Sequence, residues 1–216
     1  WVIHPDSLYV NAYTIGEAID LDFADYGMNI DMLDKDMQSI SHTRHLFDFT
    51  DLGLVSVDQT NYTKLLNKNT LIALAYRDRY ESIENLGTKI MWVDISDSRN
   101  VKLKQIRDYA DIVPGTQRTP LLQSFNTINN TICLTHNYYN RDIERYIGYI
   151  LWLDSVGDIK TFVPIPKRDN HFYELTDMFY ANDTFAYLFA YPSSTGRAGC
   201  DIIRIETGID TCRFIS

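Results

Sequence analysis

Arginine and tyrosine recur together in polar stretches that interrupt the apolar runs of this chain: "RDRYESIENLG" (77 to 87), "HNYYNRDIERY" (136 to 146) and "YPSSTGRAG" (191 to 199). Two more, "RDYADIVPGTQRTP" (107 to 120) and "PKRDNHFYE" (166 to 174), carry the same residue types. An Arg guanidinium offers five N–H donors in a planar fork, and a Tyr offers a broad ring with a polar tip. Such side chains cover area and make directed hydrogen bonds, and so dominate protein recognition surfaces; Tyr rings also stack on sugars. The candidate binding residues are therefore Arg77, Arg79, Tyr80, Tyr138, Tyr139, Arg141, Arg168 and Arg197, with Arg145 beside them.

The same set admits a catalytic reading. A sialidase-type site clamps a carboxylate with three arginines and attacks with a Tyr beside an acidic partner. Arg77, Arg141 and Arg197 come from three successive stretches with Tyr138 among them, and Asp78 and Asp142 supply carboxylates. No turn carries a Ser-x-Asp-x-Gly-x-Thr-Trp box, however, and Asp is common in loops for turn reasons alone. There is no phosphate-cradling glycine loop and no Gly-x-Ser-x-Gly elbow. His4, His42, His45, His136 and His171 show no metal-ligand spacing, and Cys133, Cys200 and Cys212 pair with none of them in a zinc pattern. "DLDFADYGMNID" lacks the glycine and alternation of an EF-hand loop. Binding without catalysis, and no metal or cofactor, is the expectation.

The apolar runs position these stretches, and they repeat. "IMWVDI" (90 to 95), "ILWLDS" (150 to 155), "IIRIET" (202 to 207) and "AIDLDF" (18 to 23) align on Asp94, Asp154, Glu206 and Asp22. One and three residues before the acid stand aliphatic or Met side chains, while the alternate positions hold Trp92, Trp152, Arg204 and Asp20. Period-2 patterning of this kind is a strand signature. Upstream, "DSLYVNAY", "NTLIALAY", "NTICLTHN" and "DTFAYLFA" align on Ser7, Thr70, Thr131 and Thr184 with steps of 63, 61 and 53 residues. The acid series steps by 72, 60 and 52. A further strand follows each acid ("MNIDML", "NVKLKQI", "DIKTFVPI", "IDTCRFI"), and weaker ones precede the hydroxyls at "PLLQSFNTI" and "HFYELTDMF". Four-stranded antiparallel units of this length are the mark of propeller blades. The expected fold is thus all-β, a β-propeller or propeller fragment over residues 1–216, with units near 1–45, 46–107, 108–166 and 167–216. Residues 24 to 57 fit poorly and suggest an insertion, with a short helix near "DMLDKDMQSI".

"IMWVDISDSRNVKLKQI" (90 to 106) resembles the LVIVD-type repeat of secreted propellers, in which such a strand enters a Val-Ser-Asp-Pro-x-Asn-Pro turn. The match covers Val93, Asp94, Ile95, Ser96, Asp97 and Asn100, with Ser98 and Val101 at the proline positions. The resemblance touches one unit in four. It implies an exported propeller and brings no catalytic residues.

Sequons at Asn61, Asn129 and Asn182 agree with a secreted or cell-surface location, and two of them precede equivalent strands. The chain opens "WVIHPDSLYV" without Met, which reads as a processed product or a piece of a longer one. A formal charge of -9, from 20 basic and 29 acidic side chains with no basic stripe, argues against nucleic acid. No apolar run reaches the roughly 20 residues of a membrane helix. The expected function is a surface-exposed binding or assembly module for a protein or glycan. A glycan-cleaving enzyme and a structural subunit of a larger surface assembly are the alternatives.

Overall fold

The computed structural model describes residues 2–3, 9–19, 22–43, 46, 63–76, 88–109, 121–140, 142–165, 167, 173–181, 185–192 and 201–206. Among them there is no helix, and every element is a strand. The chain divides into two compact units, residues 1–110 and 111–216.

The first unit holds two four-stranded antiparallel meanders. Sheet I is β1 (Val2–Ile3), β2 (Tyr9–Ile19), β3 (Asp22–Leu33) and β4 (Ser39–Thr43). Sheet II is β5 (Thr63–Asn67), β6 (Thr70–Tyr76), β7 (Thr88–Asp94) and β8 (Lys102–Asp108). The second unit repeats the plan. Sheet III is β9 (Leu121–Ile128), β10 (Thr131–Asn140), β11 (Arg145–Leu153) and β12 (Ile159–Pro164). Sheet IV shows β13 (Tyr173–Ala181), β14 (Phe185–Pro192) and β15 (Asp201–Glu206). The expected strand at 209–215 lies outside the described residues.

Alternation decides what packs. In the first unit Val10, Met28, Ile30 and Met32 of sheet I meet Leu71, Ala73, Met91 and Val93 of sheet II, all fully buried. In the second, Cys133, Ile150 and Trp152 of sheet III meet Leu188, Ala190 and Ile203 of sheet IV, with Tyr173 and Ile165 closing the cluster. One stacking rule covers both units: the residues two and four before the terminal acid of one sheet face those one or three before the acid of the next. Sheets II and III are buried on their other faces as well, through Ile72, Ile90 and Trp92 and through Ile132, Leu134, Leu151 and Leu153. A Leu, Ile or Met side chain so placed contributes about 1.5–3 kcal/mol by leaving water.

In sheets I, II and III the turn after the third strand is built on its acid, and here one expected alignment is corrected. The equivalent of Asp94 and Asp154 is Asp34, 60 residues before Asp94, and Asp22 instead opens β3 inside a long β2–β3 hairpin, where it pairs with Ile19. "AIDLDF" is therefore the tip of that hairpin, and "MNIDML" is the third strand. The Asp34 amide donates to Gln38 O at 2.9 Å, and Met37 N donates to Asp34 O at 3.0 Å. Asp34 Oδ1 accepts from the amides of Asp36 and Gln38, each at 2.9 Å. Asp154 repeats this bond for bond, with Val156 and Asp158 donating to its Oδ1 and Gly157 to its carbonyl. The fourth position of both turns is left-handed, filled by Met37 (φ 60) and Gly157 (φ 91). The helix expected near "DMLDKDMQSI" is thus a strand–turn–strand, because the Asp34 carboxylate captures the amides a first helical turn would need.

At the same place in sheets I, II and III the third and fourth strands slip by one residue. Met32 pairs with Ser41 and Leu33 with Ser39, Trp92 with Gln105 and Val93 with Leu103, and Trp152 with Thr161 and Leu153 with Ile159. Three identical β-bulges mark three copies of one hairpin.

Candidate binding site

Antiparallel topology sends the second-to-third strand hairpins to the end of each sheet opposite the Asp turns. The first-to-second turns share the Asp end: Asn69 O accepts from Ile95 N at 2.9 Å, just past Asp94. The hairpins away from that end carry the nominated Tyr and Arg stretches.

In sheet III the stretch 136 to 146 is mostly strand rather than the loop expected from its polarity. Tyr138 pairs with Ile147, Tyr139 with Tyr146 and Asn140 with Arg145, leaving a short tip at 141–144. The ladder runs on to Asn140 and Arg145, in keeping with the preference of Tyr for extended backbone. Tyr138 and Tyr139 are therefore fixed in register on β10, beside Tyr146 and Arg145 on β11. At the tip Asp142, Ile143 and Glu144 are exposed, and Glu144 turns the chain with φ 51. Arg77, Arg79, Tyr80, Arg141, Arg168 and Arg197 lie outside the described residues, as does Asp78. In sheet II, at the same end, Lys89 Nζ on β7 donates to Asp108 Oδ2 on the neighbouring β8 at 2.7 Å.

Beneath the sheet III hairpin lies a feature that motif searching passes over. Thr135, His136 and Asn137 are consecutive on β10 and all fully buried. Burial alone holds the His136 imidazole down at about 3 from 6.5, so it is neutral at physiological pH. Its cross-strand neighbour Tyr149 stacks on Phe162 with centroids 5.1 Å apart, and burial pushes its phenol up. A strand slip between Thr135 and His136 re-aims the chain just before the hairpin. The only signal for this row in the sequence was a polar triplet at the end of an apolar strand.

The sequon residue Asn129 is exposed and sits with Asn130 in the two-residue β9–β10 turn, with φ 46 and 60. Two successive positive φ values define the turn that Asn tolerates best, so the backbone explains the residue as well as a glycan would. Asn61 and Asn182 lie outside the described residues. Cys133 is buried and outside any disulfide among the described residues; Cys200 and Cys212 are not described.

No protein-family model matches the chain, and no curated protein matches it in sequence. Among the described residues no three His, Cys, Asp or Glu side chains are gathered to hold a metal ion. Nor is any described helix long and apolar enough to cross a membrane.

Proposed function

We propose that the chain is a propeller-type binding module, exported from the cell, whose second-to-third strand hairpins offer a Tyr/Arg-rich surface to a protein or glycan ligand. One observation carries the reading. Sheets I, II and III repeat with the same bulge and an Asp turn, and by topology their second-to-third strand connections lie at the end away from those turns. Stacked sheets buried on both faces agree with blades, and the LVIVD-like turn at 93–101 agrees with an exported propeller. Tyr138, Tyr139, Tyr146 and Arg145 share the end of one hairpin, and paired aromatic and cationic side chains there suit a sugar ring or a loop of another protein. Asn129 sits at the opposite end, where a glycan would leave this surface open.

The test is retention on an array of sialylated and neutral glycans, with Tyr139→Ala/Tyr146→Ala and Arg141→Ala as variants. At least a tenfold loss of bound signal with an unchanged Tm is expected. Retention unaffected by either variant removes the hairpin from the site, and release of free sugar from the array replaces binding with hydrolysis. Intact mass after expression in a secreting eukaryotic host tests the compartment: a glycan lost with Asn129→Gln supports export, and an unmodified Asn129 removes that support.

A further inference from the structure

Three of the chain's five methionines, Met28, Met32 and Met91, are fully buried in the core of the first unit. A fourth, Met37, is 49% exposed, and its neighbours from Lys35 to Ser39 are exposed as well. The side chain of Met178 lies outside those described. Among the described methionines, Met37 alone offers its sulfur to solvent.

Neither packing nor turn geometry calls for a thioether there. Met37 stands at the fourth position of the Asp34 turn with φ 60, where the matching turn of sheet III has Gly157 with φ 91. A Cβ at left-handed φ crowds the backbone, and Met lacks the short polar side chain by which Asn or Asp offsets this. Other groups hold the turn. Asp34 Oδ1 accepts from the amides of Asp36 and Gln38, Asp34 O accepts from the Met37 amide, and Gln38 Nε2 donates to Asp36 O at 3.3 Å. None of these bonds uses the Met37 side chain, so its chemistry can change without loosening them.

A thioether sulfur is soft and polarizable, and a hydroperoxide carries a weak, electrophilic O–O bond. We infer that Met37 is a modification site for hydroperoxides, converted to methionine sulfoxide ahead of the core methionines of its unit and with the fold intact. A sulfur lone pair attacks one oxygen of hydrogen peroxide as the O–O bond breaks. That oxygen stays on sulfur as the sulfoxide, and the other leaves as water with both hydrogens. Sulfur is oxidised by two electrons and the peroxide is reduced by two. The same oxygen on Met28, Met32 or Met91 would set a polar group between sheets I and II, against Ile30 and Val93. The inference goes beyond the proposed ligand site and uses none of its residues.

The experiment is a time course of the folded chain in hydrogen peroxide, read by mass spectrometry of tryptic peptides. Cleavage after Lys35 separates Met37 from Met28 and Met32, and cleavage after Lys89 and Arg99 isolates Met91. The Met37 peptide should gain one oxygen at least about tenfold faster than the peptides of the core methionines. In urea the rates should converge. With Met37 fully converted, the circular dichroism spectrum and Tm should match those of the untreated chain. The same peptide of Met37→Leu should take up no oxygen. Equal rates for Met37 and the core methionines in the folded chain overturn the proposal. So does a rate difference that persists in urea, a Tm that falls as Met37 alone is oxidised, or oxygen on the Met37→Leu peptide.

Discussion

The two units use one packing rule with different materials. The first fills the space between its sheets with methionines, Met28, Met32 and Met91, around Ile30 and Val93. The second uses Trp152 and Tyr173 around Ile150, and buries the polar row Thr135 to Asn137 on β10; the position of His136 corresponds to Ala75 in sheet II. The rule therefore belongs to strand geometry, to alternation and a shared bulge, and the residue types only set how rigidly each core is filled. Thioethers adapt to a gap, whereas an indole must be matched by its surroundings.

The sharpest way to break the comparison is to delete the matched side chains. Trp152→Ala should cost about 3–5 kcal/mol in urea denaturation, while Met32→Ala at the equivalent place should cost nearer 2 kcal/mol because its Met neighbours can move in. Equal losses would mean that the two cores are equally rigid.

Acid should separate the units next. Burial holds His136 down at about 3 in the folded chain against 6.5 unfolded, so stability is highest above pH 6.5 and falls as pH drops toward 3, where unfolding lets the imidazole take up a proton. A slope of at most about 1.4 kcal/mol per pH unit follows, read as Tm against pH. His136→Leu should flatten it.

Removing the turn carboxylates should cost less. Asp34→Ala and Asp154→Ala should each destabilise by about 1 kcal/mol, since each oxygen holds two backbone amides, and Asp94→Ala by less. Hydrogen bonds from the Ser96 hydroxyl and amide lower the Asp94 carboxyl. Burial alone would raise Asp154, but the amides of Asp158, Val156 and Gly157 outweigh it and lower the carboxyl. Both contributions are present above the ordinary carboxylate range and vanish as pH falls through it. A shallow acid limb below about pH 4 should therefore disappear in the double alanine variant.

The smallest effects compare the two left-handed turn positions. Met37→Gly should stabilise by about 0.5–1 kcal/mol, because glycine occupies positive φ without a Cβ clash, and Gly157→Ala should cost about 1 kcal/mol. Opposite signs from matched thermal melts would show that the two turns are the same device with different fillings.

Much of the all-β architecture was legible in the sequence. Strands β6, β7, β8, β10, β11 and β12 fall where alternation and the acid ladder put them, because a half-buried strand writes its period into the residue types. Sheet I was misread for a physical reason. Alternation looks the same on both sides of a hairpin, so it does not mark where β2 turns back into β3, and the acid at 22 imitated a strand end. The steady interval of 60 residues to Asp34 was the better guide. The buried Thr135–Asn137 row was not legible, since burial of polar residues depends on what covers them and not on their own types. The Tyr138–Tyr139 pair was recognised for its chemistry but assigned to a loop because polarity suggested one.

The repeated bulge has a consequence for the outer strands. A regular, straight outer strand is a template on which any stray extended segment can crystallise, and a chain with several sheets has several such rims. On β8 and β12 the kink adds twist just where Lys104 and Lys160 stand, and Pro164 closes the far end of β12. Uncontrolled growth by strand addition is thereby discouraged at these rims.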